Sequence, residues 1–232
     1  LGHHRYLQHA LTNSGLTAMY LGRWDDAIDR YQRAIEGYMQ YGHALGAATA
    51  VANVGFLRYR QGRLEEADER GRQAIRVYET AGVPHNAATA RLLRAHVAAA
   101  ERRFTDAAAL VAEARAAFVA VDQRSMVLDC DVSTMEHLVC AGRYGDAVDA
   151  GGALVDRLAI AEPELRVTYD RVLGRAEAAL GVDTGVARVE AALAEARELN
   201  LVYEVMQCLA TLVDIADDGG PAVQQTVRDE LE

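Results

Sequence analysis

A short motif recurs in this sequence at an interval of forty residues. Its copies are LGRWDDAI at residues 21–28, QGRLEEAD at 61–68, ERRFTDAA at 101–108 and AGRYGDAV at 141–148. Each copy places an alanine three positions after a bulky residue. These alanines are Ala27, Ala67, Ala107 and Ala147, and Ala187 continues the series. A fixed period of roughly 20–50 residues is typical of stacked supersecondary units, so the sequence predicts a repeat protein.

Each unit has the pattern of two helices joined by a short turn. In the first unit, apolar and small residues recur at helical spacing up to Met19, and Gly22 is placed to end that helix. The next helix opens with Asp25 and Asp26, whose carboxylates suit the positive end of the helix dipole. The expected repeats cover residues 8–42, 43–82, 83–122, 123–162 and 163–200, followed by closing helices over 201–232, the last starting at Pro221. In the fifth unit the turn is one residue longer and the bulky residue is lost.

The repeated alanines have a packing role in this interpretation. Antiparallel helices approach each other to about 8–10 Å, and only small residues allow the closest contact. We expect Ala27 and its equivalents to be the contact points, with Gly15 and Gly55 opposite them and Trp24 in the gap between successive units. The sequence thus predicts an all-α fold, a right-handed α-α superhelix of about five helix pairs with closing helices, in one domain over residues 1–232.

The net charge and the cysteine content limit which classes of partner and which cellular compartment we expect. The chain of 232 residues has a net charge of −10, and all its 24 basic residues are arginine, a hint of a GC-rich bacterial genome. We therefore expect neither nucleic acid nor a membrane surface as a partner, because both are anionic. The cysteines, Cys130, Cys140 and Cys208, are a sparse and odd set that favours a reducing cytoplasm. Since the sequence starts at Leu1, we expect it to be a piece of a longer protein.

The first two units resemble the tetratricopeptide repeat. The residues that carry the resemblance are Gly15, Gly22, Trp24, Ala27, Tyr31 and Ala34, then Gly55, Gly62, Ala67 and Ala74. The chain departs from the family in its period of forty residues instead of about thirty-four, in the missing closing proline, and in Gly71 and Gly151, which stand where the first unit has Tyr31. The longer period is similar to that of the repeat arrays of large bacterial regulators, which include ATPase-type transcription regulators and adenylate cyclases.

No catalytic motif is recognisable, so we expect neither enzyme activity nor a cofactor. Two sets of potential metal ligands are present. They are His3, His4 and His9 near the start, and Cys130, His137 and Cys140 on one predicted helix. Helical spacing brings His137 and Cys140 together, but a structural zinc site needs about four ligands in a tetrahedral array. We therefore expect no metal site in either set.

A pair of asparagines recurs at the repeat period. Asn13 and Asn53 each lie two positions before a glycine, in the middle of a predicted helix, where asparagine is a poor helix former. One interpretation is a structural hydrogen bond to the neighbouring helix. The other is an amide that holds the backbone of a partner, since an amide offers both a donor and an acceptor. Asparagines at this place hold peptides in several families that these repeats resemble.

Aromatic residues and an arginine accompany this pair on the first helices of their units. The expected partner-binding residues, lining a concave groove, are Asn13, Leu16, Met19, Tyr20, Asn53, Phe56, Tyr59 and Arg60. Aromatic residues and arginine are common interface anchors, although packing between repeats explains them equally well. The acidity of the chain favours a basic or neutral partner segment over an acidic one.

These observations predict a non-catalytic module that binds a protein or peptide segment. With the resemblance to bacterial regulators, they imply the regulatory or sensory repeat domain of a bacterial multidomain signalling protein. The alternative is a structural spacer or dimerisation arm attached to an upstream catalytic domain such as an adenylate cyclase. A homodimer stays open in both interpretations.

Overall fold

The structure, a computed structural model, describes the backbone of residues 2–218 and the side chains of residues 6–218. Within this part of the chain, helices follow one another without a strand. They are α1 (Gly2–Tyr20), α2 (Trp24–Gln40), α3 (Ala44–Arg60), α4 (Leu64–Thr80), α5 (Pro84–Ala100), α6 (Phe104–Ala120), α7 (Arg124–Cys140), α8 (Tyr144–Gly152), a 3₁₀ helix (Val155–Ile160), α9 (Pro163–Ala179), α10 (Thr184–Glu198) and α11 (Val202–Asp218). The prediction of an all-α fold of successive helix pairs with a closing helix is confirmed. The predicted helix that starts at Pro221 lies outside the described residues.

The helices divide into two compact units, residues 1–124 and 125–232. The first unit contains three helix pairs, from α1 to α6. Within it α1 contacts α3 and α3 contacts α5, so the first helices of these three repeats lie side by side. The second unit contains two helix pairs and α11, which packs against both α9 and α10. That residues 1–232 form one domain stays a prediction.

Residues in the left-handed backbone conformation end several helices at the positions that the sequence predicts. Gly22 has a φ of 69°, and its N–H donates to the carbonyl of Met19, while the N–H of Arg23 donates to the carbonyl of Ala18. This pair of hydrogen bonds is the Schellman motif, which satisfies the last carbonyls of a helix. Where glycine is absent, Arg102, Asp122 and Asn200 take the positive φ instead.

The repeated alanines are buried in four of the five repeats. Ala27, Ala67, Ala107 and Ala147 are each 0% exposed. The prediction for Ala187 is wrong, because this residue is exposed and Gly185 lies buried two positions earlier. A Cβ on Gly185 would lie 2.4 Å from the backbone nitrogen of Ala178. The start of α10 thus approaches α9 more closely than an alanine would allow, and the longer turn over residues 180–183 leads into this register.

Of the two expected glycine–alanine contacts, the one between Gly55 and Ala67 is present, whereas Gly15 packs against a different residue. A Cβ on Gly55 would lie 3.4 Å from the carbonyl oxygen of Ala67, as the packing interpretation requires. The nearest atoms to a Cβ on Gly15 belong instead to the ring of Tyr31. Trp24 is partly buried and packs on a cluster built from α1, α2 and α3, so it lies where the first two repeats meet.

The fourth repeat has a shortened second helix. A Cβ on Gly151 would lie 2.8 Å from Cε of Met135 and 3.2 Å from Cδ1 of Leu173, so a larger residue here would require these two side chains to shift. Gly152 follows directly, and consecutive glycines weaken a helix. The helix α8 ends there, and the 3₁₀ helix continues the chain. The expected second helix of residues 123–162 is therefore present but interrupted.

Candidate functional site

The predicted binding residues lie on the first helices of the first two repeats. Asn13, Leu16 and Tyr20 follow one another at helical spacing along α1, and Asn53, Phe56 and Arg60 do the same along α3. Asn13 is exposed, and the other five are half-buried, as is the neighbouring Tyr59. We call this set the first-helix face, defined as Asn13, Leu16, Tyr20, Asn53, Phe56, Tyr59 and Arg60.

Met19 does not belong to this face, and its assignment as a partner-binding residue is corrected. Its side chain is only 4% exposed. It lies in a cluster with Ala18, Tyr31 and Leu57, from three different helices. The side of α1 that carries Met19 is therefore covered by α2 and α3, and a partner cannot reach it.

Side chains of the first-helix face contact one another across repeats. The guanidinium carbon of Arg60 lies 5.4 Å from the ring centroid of Tyr20, a cation–π contact between α3 and α1. Tyr59 stacks on His96 of α5, with 5.5 Å between the ring centroids and an angle of 30° between the planes. The face thus continues from the second repeat to the third.

His96 of α5 extends this face beyond the seven residues that define it, and sequence reasoning missed it. The repeat period supplied a signal for it, because Leu16, Phe56 and His96 are spaced by forty residues. Because histidine is polar, a search for apolar residues at this spacing does not select His96.

The two asparagines have different environments. Neither side-chain amide hydrogen-bonds another residue of the described part of the chain. The equivalent of Asn53 in the third repeat is Leu93, which is fully buried with Cδ2 only 2.6 Å from the position of a Cβ on Gly55. The position of Asn53 therefore borders the preceding helix pair, whereas Asn13 lies on the first described helix and is open.

Below the face lies a fully buried tyrosine. The ring of Tyr31 packs against Gly15, and its hydroxyl has no hydrogen-bond partner among the described residues. Burial raises the pKa of Tyr31, and the positive charge of Arg60 opposes the rise. The Arg60 guanidinium therefore lies over the ring of Tyr20 and close enough to Tyr31 for its charge to act on the hydroxyl.

The potential metal ligands of the sequence do not form a recognisable cluster. Within the described residues there is no group of three or more His, Cys, Asp or Glu side chains that could hold a metal ion. His9 instead packs edge-to-face against Tyr38, with 5.7 Å between the ring centroids. The side chains of His3 and His4 lie outside the described residues. Cys130 is buried, Cys140 is exposed, and the described cysteines form no disulfide.

The second unit contains a buried charged network that sequence reasoning also missed. Arg171 on α9 donates a hydrogen bond to Glu136 on α7, thirty-five residues away. Burial works to lower the pKa of Arg171, but the negative charges of Glu136 and Glu204 outweigh it and the pKa is raised. Burial also raises the pKa of the Cys208 thiol to about 12, against the opposing charge of Arg171. Because these residues are far apart in the sequence, no local sequence pattern predicts the network.

Among the described helices, none is both long enough and apolar enough to cross a membrane.

Comparison with known proteins identifies the repeat. Residues 6–80, which include most of the first two helix pairs, match the family model of the tetratricopeptide repeat. Together with the succession of helix pairs, this match confirms the predicted tetratricopeptide-repeat array. No curated protein matches the chain in sequence.

A solved structure shares the fold. The chain is similar to the crystal structure of BtubC (BKLC) from P. vanneervenii, with 16% sequence identity and a TM-score of 0.54. The similarity covers 85% of this chain and 92% of that chain. At this level of identity it shows the helical repeat fold alone.

Proposed function

We propose that the chain is a protein-interaction module that captures a protein or peptide segment on its first-helix face. Tetratricopeptide repeats generally bind proteins or peptides, and their all-helical fold is typically non-catalytic. The observation that carries the proposal is the row of half-buried aromatic side chains and Arg60 across α1 and α3, with the open amide of Asn13 beside them. Aromatic residues and arginine are the side chains that dominate binding energy at protein interfaces.

We also propose the setting of the module. The forty-residue period resembles the repeat arrays of bacterial regulators, and so we assign it to the regulatory or sensory part of a larger bacterial signalling protein. The sparse cysteines, which form no disulfide within the described residues, suit a cytoplasmic protein. A structural spacer or dimerisation arm on a catalytic domain such as an adenylate cyclase is the alternative that the following experiment decides.

The test is a peptide selection followed by affinity measurements. A random twelve-residue peptide library is selected on the immobilised chain, and fluorescence anisotropy measures the Kd of the selected peptides. We expect Asn13→Ala combined with Asn53→Ala to weaken binding about tenfold or more, because each lost hydrogen bond costs about 0.5–1.5 kcal/mol. The matched control is Gln32→Ala with Gln40→Ala, which removes two exposed amides from α2 and should leave the Kd unchanged.

Each outcome decides between the alternatives. If the asparagine double variant loses its helical circular dichroism signal, the asparagines are structural. If it folds and binds every selected peptide as tightly as the parent, the first-helix face is not the binding site. A chain that selects no peptide and sediments as a dimer would support the dimerisation arm, and one that sediments as a monomer would support the spacer.

A further inference from the structure

One side of α1 is open, although the equivalent sides of α3 and α5 are covered. We call it the outer face of α1, and its residues, three or four positions apart along the helix, are Tyr6, Ala10, Asn13, Thr17 and Leu21. Leu21 follows the last helical residue and still donates its N–H to the carbonyl of Thr17. All five residues are exposed. Tyr6, at 75%, is the most exposed large apolar side chain in the described part of the chain.

The repeat period shows that this side of a first helix is normally buried. Forty residues after Ala10 and Thr17 lie Ala50 and Leu57 of α3, which are both 0% exposed. Forty residues further on, the equivalents in α5 are 0% exposed as well, and these are Ala90 and Val97. The outer face of α1 therefore differs from its equivalents in the same unit by what covers it.

The cover of the equivalent faces is the second helix of the preceding repeat. Ala50 lies in a cluster with Ala34 and Tyr38 of α2, and Ala90 lies in a cluster with Tyr78 of α4. No described helix precedes α1, so its outer face lacks this cover. A helix is thus the kind of element that packs on such a face in this fold.

Charge favours a second copy of this chain as the source of that helix. The chain has a net charge of −10, so two copies repel each other over most of their surface. Every other described helix contains Asp, Glu or Arg, whereas residues 6–22 contain none of them. At α1, two copies can approach without bringing like charges together, and charged residues are depleted in the cores of protein interfaces.

The outer face of α1 is also complementary to itself. Its two large apolar side chains, Tyr6 and Leu21, lie at opposite ends, and the residues between them are smaller. When two such helices pack antiparallel about a two-fold axis, Tyr6 of each copy meets Leu21 of the other, and Ala10 meets Thr17. The smaller residues in the middle allow the two helices to approach closely.

Asn13 lies next to the centre of this arrangement. Its side-chain amide makes no hydrogen bond within the described residues, whereas the hydroxyl of Thr17 already donates to the carbonyl of Asn13 over 3.1 Å. Because an amide has both a donor and an acceptor, two Asn13 side chains near the axis can bind each other. We propose that the chain forms a homodimer through an antiparallel contact between the outer faces of two α1 helices.

The test is sedimentation equilibrium of the full chain at physiological salt over a range of concentrations, where we expect a reversible monomer–dimer equilibrium. The site variant is Ala10→Glu with Thr17→Glu, which places like charges opposite each other in the two-fold contact. The matched control is Ala109→Glu with Ala116→Glu, which adds the same charges at the same spacing on exposed positions of α6. We expect the dimer dissociation constant to rise about tenfold or more in the site variant and less than about twofold in the control.

An exchange of charge tests the antiparallel arrangement. In Ala10→Glu with Thr17→Arg, the acid of each copy faces the arginine of the other copy, so the dimer should return to within about threefold of the parent's dissociation constant. A parallel contact would instead place like charges opposite each other. If this variant dissociates as readily as the site variant, the antiparallel contact is wrong.

A further variant separates this proposal from the proposed function, because the outer face of α1 and the first-helix face share Asn13 alone. Arg60→Ala removes an anchor of the first-helix face, so it should weaken peptide binding and leave the dimer unchanged. Circular dichroism checks the folding of all variants. If the site variant unfolds, the single variant Ala10→Glu carries the same comparison with Ala109→Glu.

Three results would overturn the homodimer. A parent chain that sediments as a monomer at every concentration would contradict it directly. Equal dissociation constants for the parent and the site variant would place the dimer contact elsewhere. A monomeric chain whose selected peptides lose affinity in the site variant, but not in Arg60→Ala, would identify an external segment as the occupant of the outer face.

Discussion

Asp129 carries a charge that its surroundings disfavour. Burial is the main cause, and Glu164 and Glu136 add to it, so its pKa lies at about 7 instead of 3.8. Between these two values the unfolded chain has released the proton and the folded chain has kept it. The folded state therefore binds more protons, and its stability falls as the pH rises through this range.

In Asp129→Asn, a neutral amide replaces the carboxyl and removes the free-energy cost of ionising it in the folded state. The variant should be more stable than the parent, and its gain should be larger at pH 8 than at pH 5 by about 1–3 kcal/mol, since one pKa unit corresponds to about 1.4 kcal/mol. Urea denaturation at the two pH values measures the difference. Asp149→Asn, on an exposed carboxylate, is the control. A gain that is equal at both pH values would show that Asp129 ionises normally in the folded state.

Individual helix pairs repeat the same local devices. An arginine in the turn forms an ion pair with an acid in the first turn of the next helix, and the pairs are Arg63–Glu66, Arg103–Asp106 and Arg143–Asp146. These pairs are largely exposed, and such pairs contribute only about 0–1 kcal/mol each. The buried alanines between the two helices of a pair have a greater effect on stability, because a larger side chain there has no room.

The alanine position provides a test within the chain itself. Ala67→Leu should destabilise the second repeat by about 1–3 kcal/mol, because the added atoms overpack a fully buried contact. The same substitution three repeats further along the chain, Ala187→Leu, should change stability little, because this alanine is exposed. Thermal denaturation of both variants gives the comparison. Equal destabilisation of the two would mean that Ala187 is a packing contact after all and that the register assigned to α10 is incorrect.

At the scale of the whole molecule, each compact unit has its own apolar clusters. The first unit contains a cluster around Tyr31 and Leu57 and another around Leu93 and Val97. The second contains the cluster of Val189, Leu193 and Leu212, among others. Repeats of this kind derive their stability from their own packing and that of their immediate neighbours.

A fragment of residues 1–124 should therefore fold alone. We expect it to keep a helical circular dichroism spectrum and to melt cooperatively, because its three helix pairs retain their mutual contacts. The fragment of residues 125–232 serves as the companion measurement. A first fragment without helical signal would show that its repeats depend on the rest of the chain.

The sequence by itself determined the helix pairs and the ends of most helices. Helical periodicity and the glycines at Gly22 and Gly62 act within a few residues, so local sequence is sufficient to specify them. It also placed the tetratricopeptide-repeat resemblance correctly, since the period and the small buried residues recur in the chain itself. The residues of the first-helix face could be selected in the same way, although their role in binding stays a prediction.

Only the tertiary structure decided which equivalent positions are buried and which distant charges meet. Gly185 is the buried contact in place of Ala187, because the rotation of α10 about its axis turns Gly185 toward α9. Met19 is covered because side chains of both α2 and α3 pack on it. The encounter of Glu136 with Arg171 depends on how α7 and α9 are aligned. Rotation and alignment of helices are set by the packing of many side chains at once, and no short stretch of sequence contains that information.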